Sequence, residues 1–374
     1  MRGPSEDHVI AGHAAAASAA VVLSSSLTHP LDTLKTLLQV AAGSNRKAGF
    51  VEVVDRLRSI SGFSGLYNGL WWSTLAKFLG IGARFGTYEI LSAFYTDGRE
   101  DGYVYVSEAM LAGLAAGSLE AVVSTPFELV KHRKQVASTS KSSFLSAASA
   151  MKGSTNSKLL PRYTPDPKAL SLTVGLLSSL PQKHSNLESA LKQYPWMLTG
   201  SGRPPLASNI KGLSEIISLE GWNALWRGLR AGITRDCVYG SVFFTIWQFI
   251  HNGMLNWKAI DIVPPPRSIS EAGPVSPLAS SIAAGFSGAV AAAASHSFDT
   301  AKTRSQCVVV PKYIHMERKL LRWQAPGIWI ARVTGMTPAD RDLLYRGIGL
   351  RMVRSGVASF ALVSSYLYAI KHLI

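Results

Sequence analysis

Long stretches of this chain carry no charged side chain. No Asp, Glu, Lys or Arg occurs in residues 8–31, 272–298 or 355–370, which are runs of 24, 27 and 16 residues. About 20 apolar residues suffice to cross a bilayer as a helix. The runs are rich in Ala, Gly and Ser, which suits membrane helices that pack closely against one another. The pattern favours a helical membrane protein, with the buried helices of a large soluble α-domain as the alternative.

The composition agrees with a basic membrane protein. Charged residues make up 16% of the 374 residues and hydrophobic residues 47%, whereas soluble chains average about a quarter charged. The formal net charge is +15, but the basic residues do not form the stripes of nucleic-acid-binding proteins, so no nucleic-acid partner is expected. Two cysteines exclude a disulfide scaffold and a Cys-based zinc cluster.

The chain contains three copies of two linked motifs. The first reads PLDTLKTLLQ at 30–39, PFELVKHRKQ at 126–135 and SFDTAKTRSQ at 297–306, with an acid third, a lysine sixth and a glutamine tenth. The second reads YNGL at 67–70, WRGL at 226–229 and YRGI at 345–348, and each copy opens another apolar segment. Self-similarity of this kind indicates a protein built from repeats.

Sequence signatures of enzymes do not occur. The chain has no GxSxG, no Walker-type loop and no HExxH, and its nine histidines are scattered without ligand spacing. We therefore expect no enzymatic activity, no metal site and no cofactor.

These repeated motifs resemble those of the mitochondrial carrier family, whose motif runs Pro-x-[Asp/Glu]-x-x-[Lys/Arg] and then, after a loop helix, [Asp/Glu]-Gly-x(4)-aromatic-[Lys/Arg]-Gly. The resemblance implies an all-α membrane protein with six transmembrane helices in three pseudo-symmetric repeats around a central cavity, with short matrix-side helices. The implied repeats are residues 9–97, 105–255 and 275–372. The second contains an insertion at about 136–210, whose basic, Ser- and Pro-rich composition is typical of a mobile loop.

The resemblance implies a matrix-side gate made of ion pairs. In the family the acid of one repeat pairs with the base of the next, and a glutamine braces each pair. The gate residues implied here are Asp32, Lys35, Glu128, Lys131, Asp299 and Lys302, braced by Gln39, Gln135 and Gln306. Ion pairs within each helix end are the alternative.

Proline is expected to kink two of the three gate helices. Pro30 and Pro126 remove a backbone hydrogen bond, whereas the third repeat has Ser297 and is expected to bend less or through serine hydrogen bonding. The family's cytoplasmic-side motif is degraded, because Tyr88-Glu89 lacks a following base and Trp247-Gln248 and Tyr366-Leu367 lack charged pairs. The resemblance then implies a cavity that rests open on that side.

The family's contact positions predict a substrate site. Counted from the glycine that opens each even-numbered helix, they fall on Gly80, Arg84, Arg235, Asp236 and Arg354. Charges at mid-membrane depth need water, partners or an anionic substrate, and arginine suits carboxylates. Lys77 and Arg351 are expected to lie off the contact depth, as gate or interface charges.

Two substrate classes remain open at this stage. Asp236 beside Arg235 favours an amino acid, with the acid holding the ammonium group and an arginine holding the carboxylate. If Asp236 only neutralises Arg235, the substrate is instead a di- or tricarboxylate or an oxoacid. Strings such as ARFGTYE at 83–89 and EAVVSTPFELVK at 120–131 look like those of citrate and oxodicarboxylate carriers.

The predicted function is transport of a small anionic or zwitterionic metabolite by alternating access, with exchange (antiport) as the expected mode. The resemblance implies a monomeric, multi-pass protein of the mitochondrial inner membrane, with a peroxisomal or plastid membrane as the alternative, and binding of cardiolipin-like lipid fits the positive charge. The rival hypothesis is a carrier-like scaffold that no longer transports, because the cytoplasmic motifs are degraded and Ser61 replaces the acid before Gly62.

Overall fold

The charge-free runs and the segments between them fold into helices. The computed structural model describes residues 4–41, 49–97, 104–138, 212–260, 274–307 and 344–373. Within these ranges the α-helices are α1 (Pro4–Ala41), α2 (Phe50–Ser61), α3 (Leu70–Thr96), α4 (Val106–Ala137), α5 (Leu213–Glu220), α6 (Leu229–Ile260), α7 (Pro277–Ala294), α8 (His296–Gln306) and α9 (Ile348–Leu373). The predicted insertion at 136–210 lies almost wholly outside the described residues.

The long helices form a closed ring. Helix α1 packs against α3, α3 against α4, α4 against α6, α6 against α7, α7 against α9, and α9 against α1 again. Four segments are long and apolar enough to cross a membrane, namely Gly12–Val40, Val106–Ala137, Pro277–Ala294 and Ile348–His372. Helices α3 and α6 have 27 and 32 residues and complete the same ring. The prediction of an all-α membrane fold is confirmed.

The same order of elements recurs along the chain. A gate helix is followed in the first two repeats by a short helix, a 3₁₀ turn (Phe63–Tyr67 or Trp222–Trp226) and a second long helix. Gly69, Gly228 and Gly347, the glycines of the second motif, have φ of 86°, 82° and 79°. That left-handed conformation is costly for a residue with a Cβ, which explains the recurring glycine. The exact repeat boundaries remain a prediction.

The three gate helices bend by two different means. Pro30 and Pro126 lie inside the continuous helices α1 and α4. In the third repeat the helix is divided at Ser295 (φ −96°, ψ 9°), so that α7 ends at Ala294 and α8 begins at His296. The missing proline at Ser297 is therefore accompanied by an interruption of the helix at Ser295. The hydroxyl of Ser295 donates to the carbonyl oxygen of Ala291 at 2.8 Å, which fits the expected bending through serine hydrogen bonding.

Glycine brings two pairs of helices into close contact. A Cβ on Gly113 of α4 would lie 2.5 Å from the carbonyl oxygen of Gly240 on α6, and one on Gly117 would lie 2.0 Å from that of Asp236. Gly285 and Gly356 make a less close contact between α7 and α9, where a Cβ on either would lie 3.3 or 3.2 Å from the carbonyl oxygen of the other. Small residues permit such backbone contact in membranes. Helices α1 and α3 pack more loosely on each other than the other pairs.

The short helix α5 is anchored by apolar and ionic contacts. Its Ile216 packs with Leu129 of α4 in a buried apolar cluster. At its end, Glu220 binds Arg133 at 2.6 Å and Arg227 at 2.8 Å. Arg133 is fully buried, and a buried charge is tolerated when it is paired and hydrogen-bonded.

Candidate functional site

Three ion pairs join the gate helices into a ring at one end of the bundle, which we call the gate end. Asp32 of the first repeat binds Lys131 of the second at 2.5 Å, and Glu128 of the second binds Lys302 of the third at 2.5 Å. Asp299 of the third repeat binds Lys35 of the first at 2.7 Å, which closes the ring. The six residues thus pair from one repeat to the next, and the alternative of pairs within each helix is not what the structure contains.

Each acid of this ring also faces an arginine from a second long helix of a repeat. Arg354 lies 3.1 Å from Asp32, Arg235 lies 3.1 Å from Glu128, and Arg351 lies 3.6 Å from Asp299. Every ring carboxylate is therefore shared between a lysine of the gate and an arginine. Buried carboxylates need such multiple partners, because a single ion pair rarely offsets the loss of water.

The three bracing glutamines are not equivalent. Gln39 donates to Asp299 at 3.1 Å and to the hydroxyl of Thr300 at 3.0 Å. Gln135 repeats this arrangement with Asp32 and Thr33, both at 3.2 Å. Two of the three predicted contacts are thus present.

The third glutamine has a different partner. Its side-chain oxygen, Oε1 of Gln306, lies 2.7 Å from Nδ1 of His132. The residue after Glu128 is Leu129, which has no hydroxyl, so the second hydrogen bond of the other two sites is not available to Gln306. The ring is asymmetric at this position.

A cavity of about 140 Å³ lies between the ring and the middle of the bundle. Six basic and four acidic side chains line it, which leaves an excess of positive charge. They are Lys77, Arg84, Lys131, Arg235, Arg351 and Arg354, with Glu120, Glu128, Asp236 and Asp299. Polar groups converging in one concave site are the usual mark of a ligand pocket.

Four of the five predicted substrate contacts line this cavity. Arg84 pairs with Glu120 and lies over the ring of Tyr239, with its Cζ 4.6 Å from the ring centroid. Gly80 is the exception, because it is buried against α4, where an added Cβ would lie 3.2 Å from Cγ of Glu120. Gly80 allows helix contact there instead of lining the cavity.

Asp236 is held by its neighbour in the chain. Arg235 donates to both of its carboxylate oxygens, from Nε to Oδ1 at 2.7 Å and from Nη2 to Oδ2 at 2.9 Å. Arg235 also reaches Glu128 and Asp299. This arginine therefore connects the cavity to the ring, and its charge is already surrounded by three carboxylates.

Lys77 and Arg351, expected off the contact depth as gate or interface charges, both line the cavity. Arg351 also faces the ring acid Asp299, as a gate charge would. Lys77 follows Gly69 by eight residues, as Asp236 follows Gly228, so the repeat count already contained the signal. Tyr239 was missed altogether, and its hydroxyl lies 2.9 Å from Oγ of Ser355 across the cavity.

The opposite end of the bundle lacks a second ring of ion pairs among the described residues. Glu89 is exposed, and its counterparts are Gln248 and Leu367. Tyr88 instead stacks on Phe244, with ring centroids 3.7 Å apart. Aromatic packing therefore occupies the position at which the family's cytoplasmic-side motif has charged pairs.

Comparison with known proteins accounts for most of the chain. The family model described as mitochondrial carrier protein matches residues 6–99, 103–154 and 273–374. The first and third segments cover the first and third sets of helices, whereas the second covers α4 but not α5 or α6 of the second set.

Several curated relatives share shorter or longer parts of the chain. Mitochondrial substrate carrier family protein X of Dictyostelium discoideum is 36% identical over 29% of this chain and 35% of its own length. The mitochondrial 2-oxodicarboxylate carrier of Rattus norvegicus is 32% identical over 34% of this chain and 43% of its own length. The succinate/fumarate mitochondrial transporter of Saccharomyces cerevisiae is 23% identical over 92% of this chain and 86% of its own length. The match thus spans about a third of the Dictyostelium protein's length but most of the yeast protein's.

Proposed function

Because this chain belongs to the mitochondrial carrier family, we propose that it transports a small dicarboxylate or oxodicarboxylate by exchange across the membrane. Family membership and the spanning helices make it a multi-pass protein of the mitochondrial inner membrane. The observation that carries the substrate class is the charge of the cavity, where six bases face four acids.

The state of Asp236 supports a carboxylate over an amino acid. An amino-acid substrate needs a carboxylate that is free to bind its ammonium group. Both oxygens of Asp236 are taken by Arg235, and the residue is buried. Releasing it would leave an arginine without its nearest counter-charge, which is costly in a low-dielectric interior.

Lys77 offers an anionic substrate a positive charge that is not already paired with a carboxylate of the described residues. Among the described residues no carboxylate lies within ion-pair distance of its Nζ, which donates only to Oγ1 of Thr28 at 3.2 Å. Arg84 lies on the same helix, two turns further on. Two bases along one wall suit the two carboxylates of a short dianion, and arginine adds bidentate binding.

Substrate binding would act on the ring through shared carboxylates. A substrate carboxylate that binds Arg354 or Arg235 competes with Asp32 or Glu128 for the same guanidinium. Its binding energy then favours the conformations in which the ring pairs are weakened. A ligand shifts a conformational equilibrium only through such differential contacts. The names of the 2-oxodicarboxylate and succinate/fumarate relatives fit this substrate class.

The test is exchange in proteoliposomes loaded in turn with dicarboxylates, oxodicarboxylates, tricarboxylates, amino acids and nucleotides. We expect saturable exchange of a dicarboxylate or oxodicarboxylate, with KM raised at least tenfold by Arg84→Ala. Lys371→Ala is the matched control, because Lys371 is exposed near the end of α9. Amino-acid exchange that Asp236→Ala abolishes would overturn the substrate class. Silence across all compounds, from protein with a cooperative thermal transition, would instead favour the scaffold hypothesis.

A further inference from the structure

The break between α7 and α8 is covered by one arginine from another helix. Arg351 of α9 donates from Nη1 to the carbonyl oxygen of Ala292 at 2.9 Å and from Nη2 to Oγ of Ser295 at 2.8 Å. Ala292 lies in the last turn of α7, where carbonyls lack partners within the helix. An unsatisfied carbonyl inside a membrane is costly, so this hydrogen bond stabilises the interrupted end of α7.

The same backbone position carries small residues in the other two repeats. Arg351 donates its backbone N–H to Gly347 at 3.0 Å, as Ser73 does to Gly69 at 2.9 Å and Gly232 to Gly228 at 2.8 Å. The three residues therefore occupy equivalent places at the start of α9, α3 and α6.

The residue at this place depends on whether the gate helix of the same repeat contains a proline. The two repeats with a proline, Pro30 and Pro126, have Ser73 and Gly232 at this place, and the repeat with Ser297 has arginine. In the second repeat a Cβ on Gly232 would lie 3.0 Å from Nζ of Lys302, so a larger side chain there would have to displace that gate lysine. Arginine occurs only where the proline is missing.

We propose that Arg351 is a positioning residue that replaces the missing proline and holds the bend between α7 and α8. The guanidinium binds the end of α7 on one side and lies 3.6 Å from Asp299 of α8 on the other. It thereby fixes the direction in which α8 leaves α7 and carries Asp299 to Lys35. This inference concerns helix geometry and does not depend on which metabolite the cavity binds.

The test is rescue by proline at the repeat-equivalent position. We expect Arg351→Ala to lower the unfolding temperature of the purified protein by at least 5 °C and to lower kcat for exchange at least tenfold, with KM changed less than threefold. Adding Ser297→Pro should restore at least half of both losses, since proline bends the helix without the arginine. Ser297→Pro alone controls for the proline itself.

A neighbouring arginine provides the matched comparison. Arg354 lies on the same helix and faces Asp32, so Arg354→Ala should raise KM, and Ser297→Pro should not rescue it. If Arg351→Ala also raises KM without loss of kcat and is not rescued, Arg351 binds substrate and the proposal is wrong. The proposal also fails if Arg351→Ala leaves the unfolding temperature and kcat unchanged.

A milder variant covers the case in which Arg351→Ala does not fold. Arg351→Lys keeps the positive charge near Asp299 but cannot bridge two acceptors with one planar group. A loss of kcat in Arg351→Lys that Ser297→Pro restores supports the proposal, and a loss that persists overturns it. The unfolding temperature is measured without any substrate, so this outcome stays separate from the failure of the proposed transport function.

Discussion

Arg235 and Asp236 are adjacent in the chain and bind each other through two hydrogen bonds, of 2.7 and 2.9 Å. Neighbouring residues on a helix point about 100° apart, so only the length of the arginine side chain allows this contact. The pair leaves Arg235 able to reach Glu128 and Asp299 as well, at 3.1 and 3.3 Å. The cavity and the ring are thus one electrostatic unit.

This pair predicts unequal effects of its two single substitutions. Arg235→Ala should destabilise the protein by about 3–5 kcal/mol, because it leaves Asp236 buried without its cation. Asp236→Asn should cost less, since Arg235 keeps Glu128 and Asp299. The double variant Arg235→Ala/Asp236→Ala should recover part of the loss in a thermal-unfolding cycle. A double variant as unstable as Arg235→Ala alone would contradict the pairing.

The hydrogen bonds of the bracing glutamines predict that one glutamine is energetically coupled to a different partner from the other two. Gln135 should be coupled to Asp32, and Gln306 to His132 rather than to Glu128. We expect each glutamine-to-alanine change to cost about 1–2 kcal/mol. In double-mutant cycles, Gln306 and His132 should be non-additive, whereas Gln306 and Glu128 should be nearly additive. Strong coupling of Gln306 to Glu128 would show that Gln306 braces the ring as the other two glutamines do, and would contradict the asymmetry.

The charge of Lys77, unpaired within the described residues, predicts that removing it raises stability and lowers transport. Lys77→Met removes a charge that has no carboxylate partner among the described residues, so the unfolding temperature should rise by several degrees. Exchange should fall at least tenfold through KM if Lys77 binds substrate. Lys371→Met, on the exposed end of α9, serves as the control and should change neither quantity. A stabilised variant that exchanges normally would remove Lys77 from the binding site.

Two nearby glycines of α3 predict opposite responses to a single methyl group. Gly80→Ala should destabilise by about 1–3 kcal/mol, because its Cβ would lie 3.2 Å from Cγ of Glu120. Gly82→Ala meets nothing within 4 Å and should be neutral or stabilising by up to about 1 kcal/mol. Measured unfolding temperatures decide the point, and a neutral Gly80→Ala would show that Glu120 can move aside.

The sequence predicted the ring better than the cavity, for a physical reason. Asp32, Lys131 and their counterparts recur at fixed places in each motif, and the resemblance to the family implies that they pair across repeats. The cavity is lined by positions that differ between repeats, and depth along a helix does not say which way a side chain faces. Gly80 was therefore assigned to the substrate but packs on a helix, and Lys77 was assigned elsewhere but lines the cavity.

The deviations from threefold symmetry could not be predicted from the sequence either. Leu129 in place of threonine redirects Gln306, and Arg351 covers the break that Ser295 makes in the third gate helix. Both effects depend on contacts between residues more than 50 positions apart, which no local motif contains. The amino-acid prediction for the substrate remains untested, and the bond between Asp236 and Arg235 is the reason that we favour a dicarboxylate.

The glycine contacts described above imply that some neighbouring helices in the ring are held together more rigidly than others. Where backbones touch, as at Gly113 and Gly240 or at Gly285 and Gly356, two helices are constrained to tilt as one body. Among the described glycines none makes such a contact between α1 and α3, and these helices pack more firmly on α9 and α4 than on each other. The contact between α1 and α3 in the first repeat is therefore the least constrained in the ring of long helices. Any separation of helices during a transport cycle should be largest there.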